Sequence, residues 1–403
     1  MRTSNQAGVA ECGARRGRTR VCAAVLGALV LGVASVGLVS KVTDLSLRQL
    51  GGHAAAEGSA VSLPREPGDP RIVWLALPTS LASPVVADGD TAWLAVAERL
   101  DDTGRFESHL YQFIPGTMEL RQVAKFGGRP TALAVGPKDI AIGVGADVLL
   151  VTRGGTVRSV TALADGSGSY VSALAFLGDR LYGASSVSAT IFELDLVNAA
   201  VMARIDVGSE IPPPVTLISF DERTLIASTP FGQVGGLGPG SVVIDTVSRT
   251  VTRADLGKPF SFVSDGAGSL LATQAIPGGG VTAIGRDGGG MRRAATNAGA
   301  AIPWDGRWDV VAVGSDLSLW AAIRSAGMVF RQGPDGSLDT FKLPSMHIIA
   351  SVPYGASAPA DEDEARRLSV AARTVDSMAA LADGSLVFVS QSPGGALGYI
   401  PGR

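Results

Sequence analysis

Cysteine is nearly absent: Cys12 and Cys22 are the only two, and both precede the region that can fold. That excludes a disulfide framework, thiol chemistry and a thiolate metal site from everything downstream. Histidine is almost as scarce, with three residues, His53, His109 and His347, so general acid/base work near neutral pH has few candidates. Aromatics make up 5% of the chain against 46% hydrophobic residues, so the core has to be built from Ala, Val, Leu and Ile. No P-loop or dinucleotide fingerprint occurs. Gly235-Gly236-Leu237-Gly238-Pro239-Gly240 is rich in glycine, but it lies between expected strands instead of opening a helix. Positive charge is sparse beyond the first forty residues. Those forty hold five Arg and one Glu, a net +4 against −3 for the whole chain, which leaves −7 for the rest. An acidic domain is a poor partner for a phosphate backbone, and nucleic-acid binding is disfavoured.

Long apolar runs are also lacking, with one exception. Arg15, Arg16, Arg18 and Arg20 precede Val21 to Val39, which is uncharged and almost wholly apolar. A spanning helix needs ~20 apolar residues and a cleavable signal core ~7–15, so the length favours an uncleaved signal-anchor with the remainder outside the cytoplasm. The rival is a cleaved signal peptide, cut at Gly32-Val33-Ala34, and a secreted product. Cys22 opens the run instead of ending it, which argues against a lipid-anchored cysteine. The expected organisation is a targeting segment over 1–40 forming an apolar helix, a linker over 41–70 and one domain over 71–403. Thr43 to Leu50 could leave the membrane as a short helix, and Leu63 to Pro70 reads as an extended spacer.

What the chain does have is a repeated unit. A turn signal followed by an apolar run starts at Asp90, Lys138, Asp179, Glu222, Gly268, Leu317 and Gly384. A second apolar run with its own turn follows, as in Leu110 to Ile114 before Pro115-Gly116, or Met328 to Phe330 before Gly333-Pro334-Asp335-Gly336. Most starts lie 41 to 49 residues apart. A period of ~40–50 residues with two hairpins suits a four-stranded propeller blade. The expected fold is therefore all-β, a seven-bladed β-propeller. Its blades fall near 82–127, 130–162, 171–208, 214–257, 260–297, 308–343 and 376–403. The last is one strand short, and Arg71 to Leu77 is the candidate that completes it, closing the ring and hiding a sheet edge.

Ligands of propellers usually meet the face carrying the loops between second and third strands. On that face the sequence nominates Glu98 in a charged hairpin tip, and Trp304, Arg307 and Trp308, whose indoles and charges suit a sugar ring or a partner surface. Gln274, Arg324 and Gln391, near the ends of second strands, complete the ligand-binding set. The longest interruption, 344–375, reads as a lid-like insertion. Within it Asp361 to Leu368 starts acidic and turns basic, the polarity of a short helix. His347, at its start, is the one well-placed acid/base candidate; His109 is expected to open an outer strand and to be structural. The spacing of oxygen ligands for calcium is missing from the Glu98 hairpin, and neither a metal nor a cofactor is expected.

Ser318-Leu319-Trp320-Ala321 through Gly333-Pro334-Asp335-Gly336-Ser337 to Phe341-Lys342-Leu343-Pro344 resembles a repeat of the streptogramin (virginiamycin B) lyase family. Asp383 to Gln391 and Leu397 to Gly402 fit the same repeat less closely. The resemblance implies a seven-bladed propeller. It also implies elimination chemistry on a cyclic depsipeptide, with a histidine base and a magnesium ion held near a glutamate. The glutamate of that repeat's strand end is missing from every blade here. The expectation is thus a non-catalytic, extracytoplasmic binding module, membrane-anchored through 21–39, that takes a peptide, glycan or envelope protein on its loop face. The alternative is a metal-dependent lyase or hydrolase using His347.

Overall fold

The computed structural model describes residues 68–403 apart from 79–80, 102–103, 162, 164–169, 230–238, 257–258, 265–268, 275–280, 288–289, 296–309, 315, 324–326, 348–369, 373, 391–394 and 403. The described residues all belong to one compact unit, Pro64–Ile348 with Val370–Arg403. The expected targeting segment, most of the linker, and the helices at Thr43 to Leu50 and Asp361 to Leu368 lie outside the described residues. Among those that are described, no helix is long and apolar enough to cross a membrane.

The unit is all-β, and its strands pair antiparallel in seven sheets of four or five strands and one of two among the described residues. The first sheet holds Leu81–Ala82 and Val86–Asp88, then Thr91–Arg99, Phe106–Ile114 and Glu119–Gly127. The second runs Pro130–Val135, Asp139–Val144, Asp147–Thr152, Val157–Thr161, and the third Val171–Leu177, Arg180–Ser185, Thr190–Asp195, Ala200–Asp206. The fourth is Thr216–Asp221, Thr224–Thr229, Gly240–Asp245, Thr250–Ala254, and the fifth Pro259–Ser264, Leu270–Gln274, Val281–Asp287, Gly290–Ala295. The sixth is Val310–Val313, Leu319–Ile323, Met328–Gln332, Leu338–Lys342. The seventh has Ser377–Ala380, Leu386–Ser390 and Ala396–Ile400 from the C-terminus, and Val73–Ala76 from the other end of the unit as its fourth strand. Val73 lies opposite Tyr399 and Ala76 opposite Ala396.

The first strands of successive sheets pack side by side, and that of the seventh packs on that of the first. Apolar residues on both faces of each sheet follow from this arrangement, because every sheet is covered twice. The core is accordingly cut into layers. Tyr182 and Ile191 of the third sheet meet Leu225 and Val242 of the fourth. Trp320 and Phe341 of the sixth meet Phe388 and Ile400 of the seventh. Leu94 and Phe113 of the first meet Val387 and Leu397 of the seventh. Each such side chain, fully buried, contributes ~1.5–3 kcal/mol of transfer free energy.

The approach to the closing strand is strapped down. Asp69 N donates to Lys342 O at 2.8 Å. The Arg71 guanidinium pairs with Asp69 at 2.7 Å, donates to Thr340 O at 2.6 Å and lies 4.2 Å from the Phe341 ring centroid. The segment thus grips the outer strand of the sixth sheet before joining the seventh.

Turn chemistry is carried by carboxylates more than the sequence reading expected. Asp195 Oδ1 accepts from the backbone N–H groups of Val197 and Asn198, and Asp245 Oδ1 from those of Val247 and Ser248. With the turn held this way, the left-handed position falls on Ala199 (φ 52°) and Arg249 (φ 57°). The Ser248 N–H, the Arg223 guanidinium and the other donors outweigh desolvation and hold the Asp245 carboxyl at about 2, below its ordinary 3.8. A depressed folded value means that the stability contributed is complete above the ordinary value and fades as pH falls toward 2. An NMR titration of the side-chain carboxyl should find its midpoint near 2; a midpoint near 3.8 would show that the turn does not hold in solution.

His109 does not open a strand. It sits inside Phe106–Ile114, opposite Val96 and Lys125, with Nε2 3.3 Å from Glu107.

Candidate functional site

A serine or threonine stands at one level of nearly every inner strand. Ser83, Thr131, Ser172, Thr216, Ser261 and Ser377 each lie nine residues ahead of the first apolar residue of the second strand, and the sixth sheet has Val310 there. The hydroxyls tie neighbouring inner strands together. Thr131 Oγ1 reaches Gly143 O of its own sheet at 3.1 Å and Val171 O of the next at 2.7 Å. Ser172 Oγ repeats the contact with Ala184 O at 3.2 Å and Pro214 O at 2.7 Å. Ser377 Oγ accepts from Val85 N of the first sheet at 2.8 Å, and Ser83 Oγ accepts from Ala95 N at 2.9 Å, taking the place of a backbone carbonyl. An inner strand has one unpaired edge, and these hydroxyls satisfy part of it.

A cavity of about 390 Å³ opens between the inner strands of the first, fifth, sixth and seventh sheets. Its wall is Val85, Val86 and Ala87, then Phe262, then Val310 to Val313, then Met378 to Ala380. Pro84, Asp376 and Ser377 complete it, and Asp376 is the one charged residue among the described residues that line it. Thr374 Oγ1 lies 3.2 Å from Asp376 Oδ2 and can donate to it. The far end of the first inner strand is closed electrostatically. Burial pushes the Asp88 carboxyl up, but hydrogen bonds from Arg153 and from Trp93 Nε1 (2.9 Å) outweigh it and bring the carboxyl below its ordinary value.

The first sheet differs from the others in length. Three of its strands have nine residues, whereas those of the other six four-stranded sheets have four to seven, so its second hairpin extends further. Glu98 is exposed on this extension, opposite Glu107. Lys125 Nζ pairs with Glu107 at 2.7 Å and holds that carboxyl below its usual range, while Arg105 pairs with Asp101 at 2.5 Å. Burial, with the Glu98 charge behind it, pushes the Tyr111 phenol up.

The residues nominated from sequence are not brought together among the described residues. Gln274 ends its strand opposite Pro259. His347 is no loop histidine: Ser345–His347 pairs with Val370–Ala372, His347 opposite Val370, so the two ends of the long insertion form a short ladder. Trp304, Arg307, Trp308, Arg324 and Gln391 lie outside the described residues. At the level where the lyase repeat has its glutamate stand Val96, Val144, Ser185, Thr229, Gln274, Ile323 and Ser390. Among the described residues no group of three or more His, Cys, Asp or Glu could hold a metal ion. Sequence reasoning missed Asp376 and the hydroxyl series. The recurring Ser/Thr, one step before the inner apolar run, was the available signal.

Sheets of four antiparallel strands, joined first strand to first strand, define a β-propeller, and its fold is streptogramin lyase-like. A streptogramin B lyase superposes with a TM-score of 0.54 at 12% identity, over 81% of this chain and 97% of that one. The β-propeller domain of Cps50 (Swd1) from Myceliophteria thermophila gives 0.55 at 12% identity, over 82% and 100%. Hydrazine synthase of Kuenenia stuttgartiensis gives 0.51 at 15%, over 85% and 99%. Such identities speak for the fold alone. No protein-family profile matches the sequence, and no curated relative does.

Proposed function

We propose that this chain is a seven-bladed propeller held outside the cytoplasm through residues 21–39, and that it is a non-catalytic binding module. Its loop face takes a peptide, glycan or envelope protein, and the extended hairpin of the first sheet belongs to that face. The observation that carries this reading is the chemistry at the ends of the second strands. Val96, Val144, Ser185, Thr229, Gln274, Ile323 and Ser390 offer neither a carboxylate nor an imidazole where the lyase repeat places its glutamate. The mostly apolar wall of the cavity, Val, Ala, Met and Phe with Asp376 at one end, supports it as a surface suited to binding. The test is incubation of the full chain with a cyclic depsipeptide and magnesium, followed by mass spectrometry. The substrate should remain cyclic. A linear product that disappears with His347→Ala would overturn the reading.

A further inference from the structure

We infer that the seventh sheet is an exchange site: residues 71–77 of a second copy of this chain take the place of its own closing strand and give a strand-swapped dimer. Three observations carry the inference, which goes beyond the binding-module reading. The first is connectivity. Val73 lies opposite Tyr399 and Ala76 opposite Ala396, so the closing strand and its partner come from opposite ends of the unit. The one short link of the closing strand runs forward, through Pro78, Thr79 and Ser80 to Leu81–Ala82 of the first sheet. A short link between such an element and the body of its own chain invites exchange.

The second observation is the slot. Ile72 and Trp74 enter the apolar layer of Phe341, Phe388 and Ile400 between the sixth and seventh sheets. Leu75 and Leu77 enter the layer of Leu94, Val387 and Leu397 between the seventh and the first. One strand thus fills two rows at once by the alternation of its side chains. A sheet edge flanked by two apolar rows suits strand addition, in which main-chain bonds give affinity and the rows give specificity. The occupant that matches both rows is the same segment of another copy. It remakes the contacts of the closed form, so the two forms differ in the link and in the entropy of association. The third observation is how lightly the approach is held. Asp69 N donates to Lys342 O, and Arg71, half exposed, pairs with Asp69 and donates to Thr340 O. These bonds travel with the segment and re-form on the sixth sheet of the acceptor. A tethered strand meets its own slot at an effective concentration of ~1 mM, so exchange competes at that crowding once the slot has opened.

The test is cross-linking in the full chain with Cys12→Ser and Cys22→Ser. Leu77 N donates to Gly395 O at 3.0 Å, which makes Ala76 and Ala396 the adjacent non-hydrogen-bonded pair, with Cα atoms ~4.5 Å apart and within reach of a disulfide. Ala76→Cys with Ala396→Cys in one chain should close an internal disulfide, which shows that the slot holds this strand. Two preparations carrying one of these substitutions each, mixed at ~1 mM, warmed to the foot of the unfolding transition and cooled, should give a mixed disulfide dimer by intact mass spectrometry. Insertion of ~6 Gly and Ser residues after Ser80 should lower its yield about tenfold, because the longer link closes at home. Deletion of Thr79 and Ser80 should give the dimer without warming; if that variant fails to fold, the insertion still decides. No mixed disulfide, a dimer that lacks it, or a yield indifferent to link length overturns the inference. So does an internal pair that stays reduced. None of these results touches the binding-module reading, which falls only to turnover of the cyclic depsipeptide.

Discussion

Internal deletion of residues 71–77 should leave a chain that no longer unfolds in a single cooperative transition. The segment supplies the fourth strand of the seventh sheet, and its ladder to Ala396–Ile400 is lost with it. Ile72 and Leu77 are 5% and 7% exposed, and Trp74 meets the Phe388 ring edge-on at 5.3 Å. Two fully buried aliphatic side chains, half a tryptophan and a strand edge together amount to ~5 kcal/mol or more, which is comparable to the whole stability of a domain. The strap through Asp69 and Arg71 adds little by itself, because the Arg71 side chain is 52% exposed and its ion pair is screened. Circular dichroism during heating and size-exclusion chromatography measure the effect. A deletion variant that melts as the full chain does would show that the first and seventh sheets hold together without the closing strand. Exposing Ala396–Ile400 as a free edge should also promote association.

The second large effect concerns Phe388 and Gly398, which are direct partners across adjacent strands of the same sheet. The Phe388 ring is fully buried and lies flat over Gly398, where a Cβ would overlap it. Phe388→Ala should cost ~3–5 kcal/mol through lost burial and an unfilled cavity. Gly398→Ala should cost ~1–3 kcal/mol, because the ring has to leave its rotamer. The double variant should be less destabilised than the sum, since the added methyl occupies space that the ring has vacated. Urea denaturation of the four proteins completes the cycle; strict additivity would mean that ring and glycine do not touch in solution. Phe192 over Gly183 in the third sheet repeats the arrangement and should show the same coupling.

These pairs also mark what could be read from sequence. The strand pairs and the closing strand at Val73–Ala76 were legible because their signals are local: apolar runs of four to seven residues, bounded by Asp, Gly and Asn. The left-handed turn residues Ala199 and Arg249 were not, since the geometry is set two to four residues upstream by Asp195 and Asp245. His347 was taken for a loop residue because Ser345–His347 finds its partner strand across the whole insertion. The axial cavity was illegible for a stronger reason. Pro84, Phe262, Val310 and Asp376 come from four sheets far apart in sequence, and no periodicity within any one of them says that they face a common space. The nominated site residues shared a location by analogy with other propellers, and of them Glu98, Gln274 and His347 fall within the described residues, on three separate strands.

The hydroxyl series has a mechanical meaning. Inner strands joined by Thr131, Ser172 and Ser377 behave as a hoop with stitches, each a hydrogen bond that must stretch before two sheets can separate. At Val310 the stitch is missing, and a methyl group stands where the other inner strands have oxygen. That gap borders the cavity. Hydroxyl bonds of this series join the second sheet to the third, the third to the fourth and the seventh to the first. The cavity thus borders the inner strand whose residue at this level has no hydroxyl to contribute to the series.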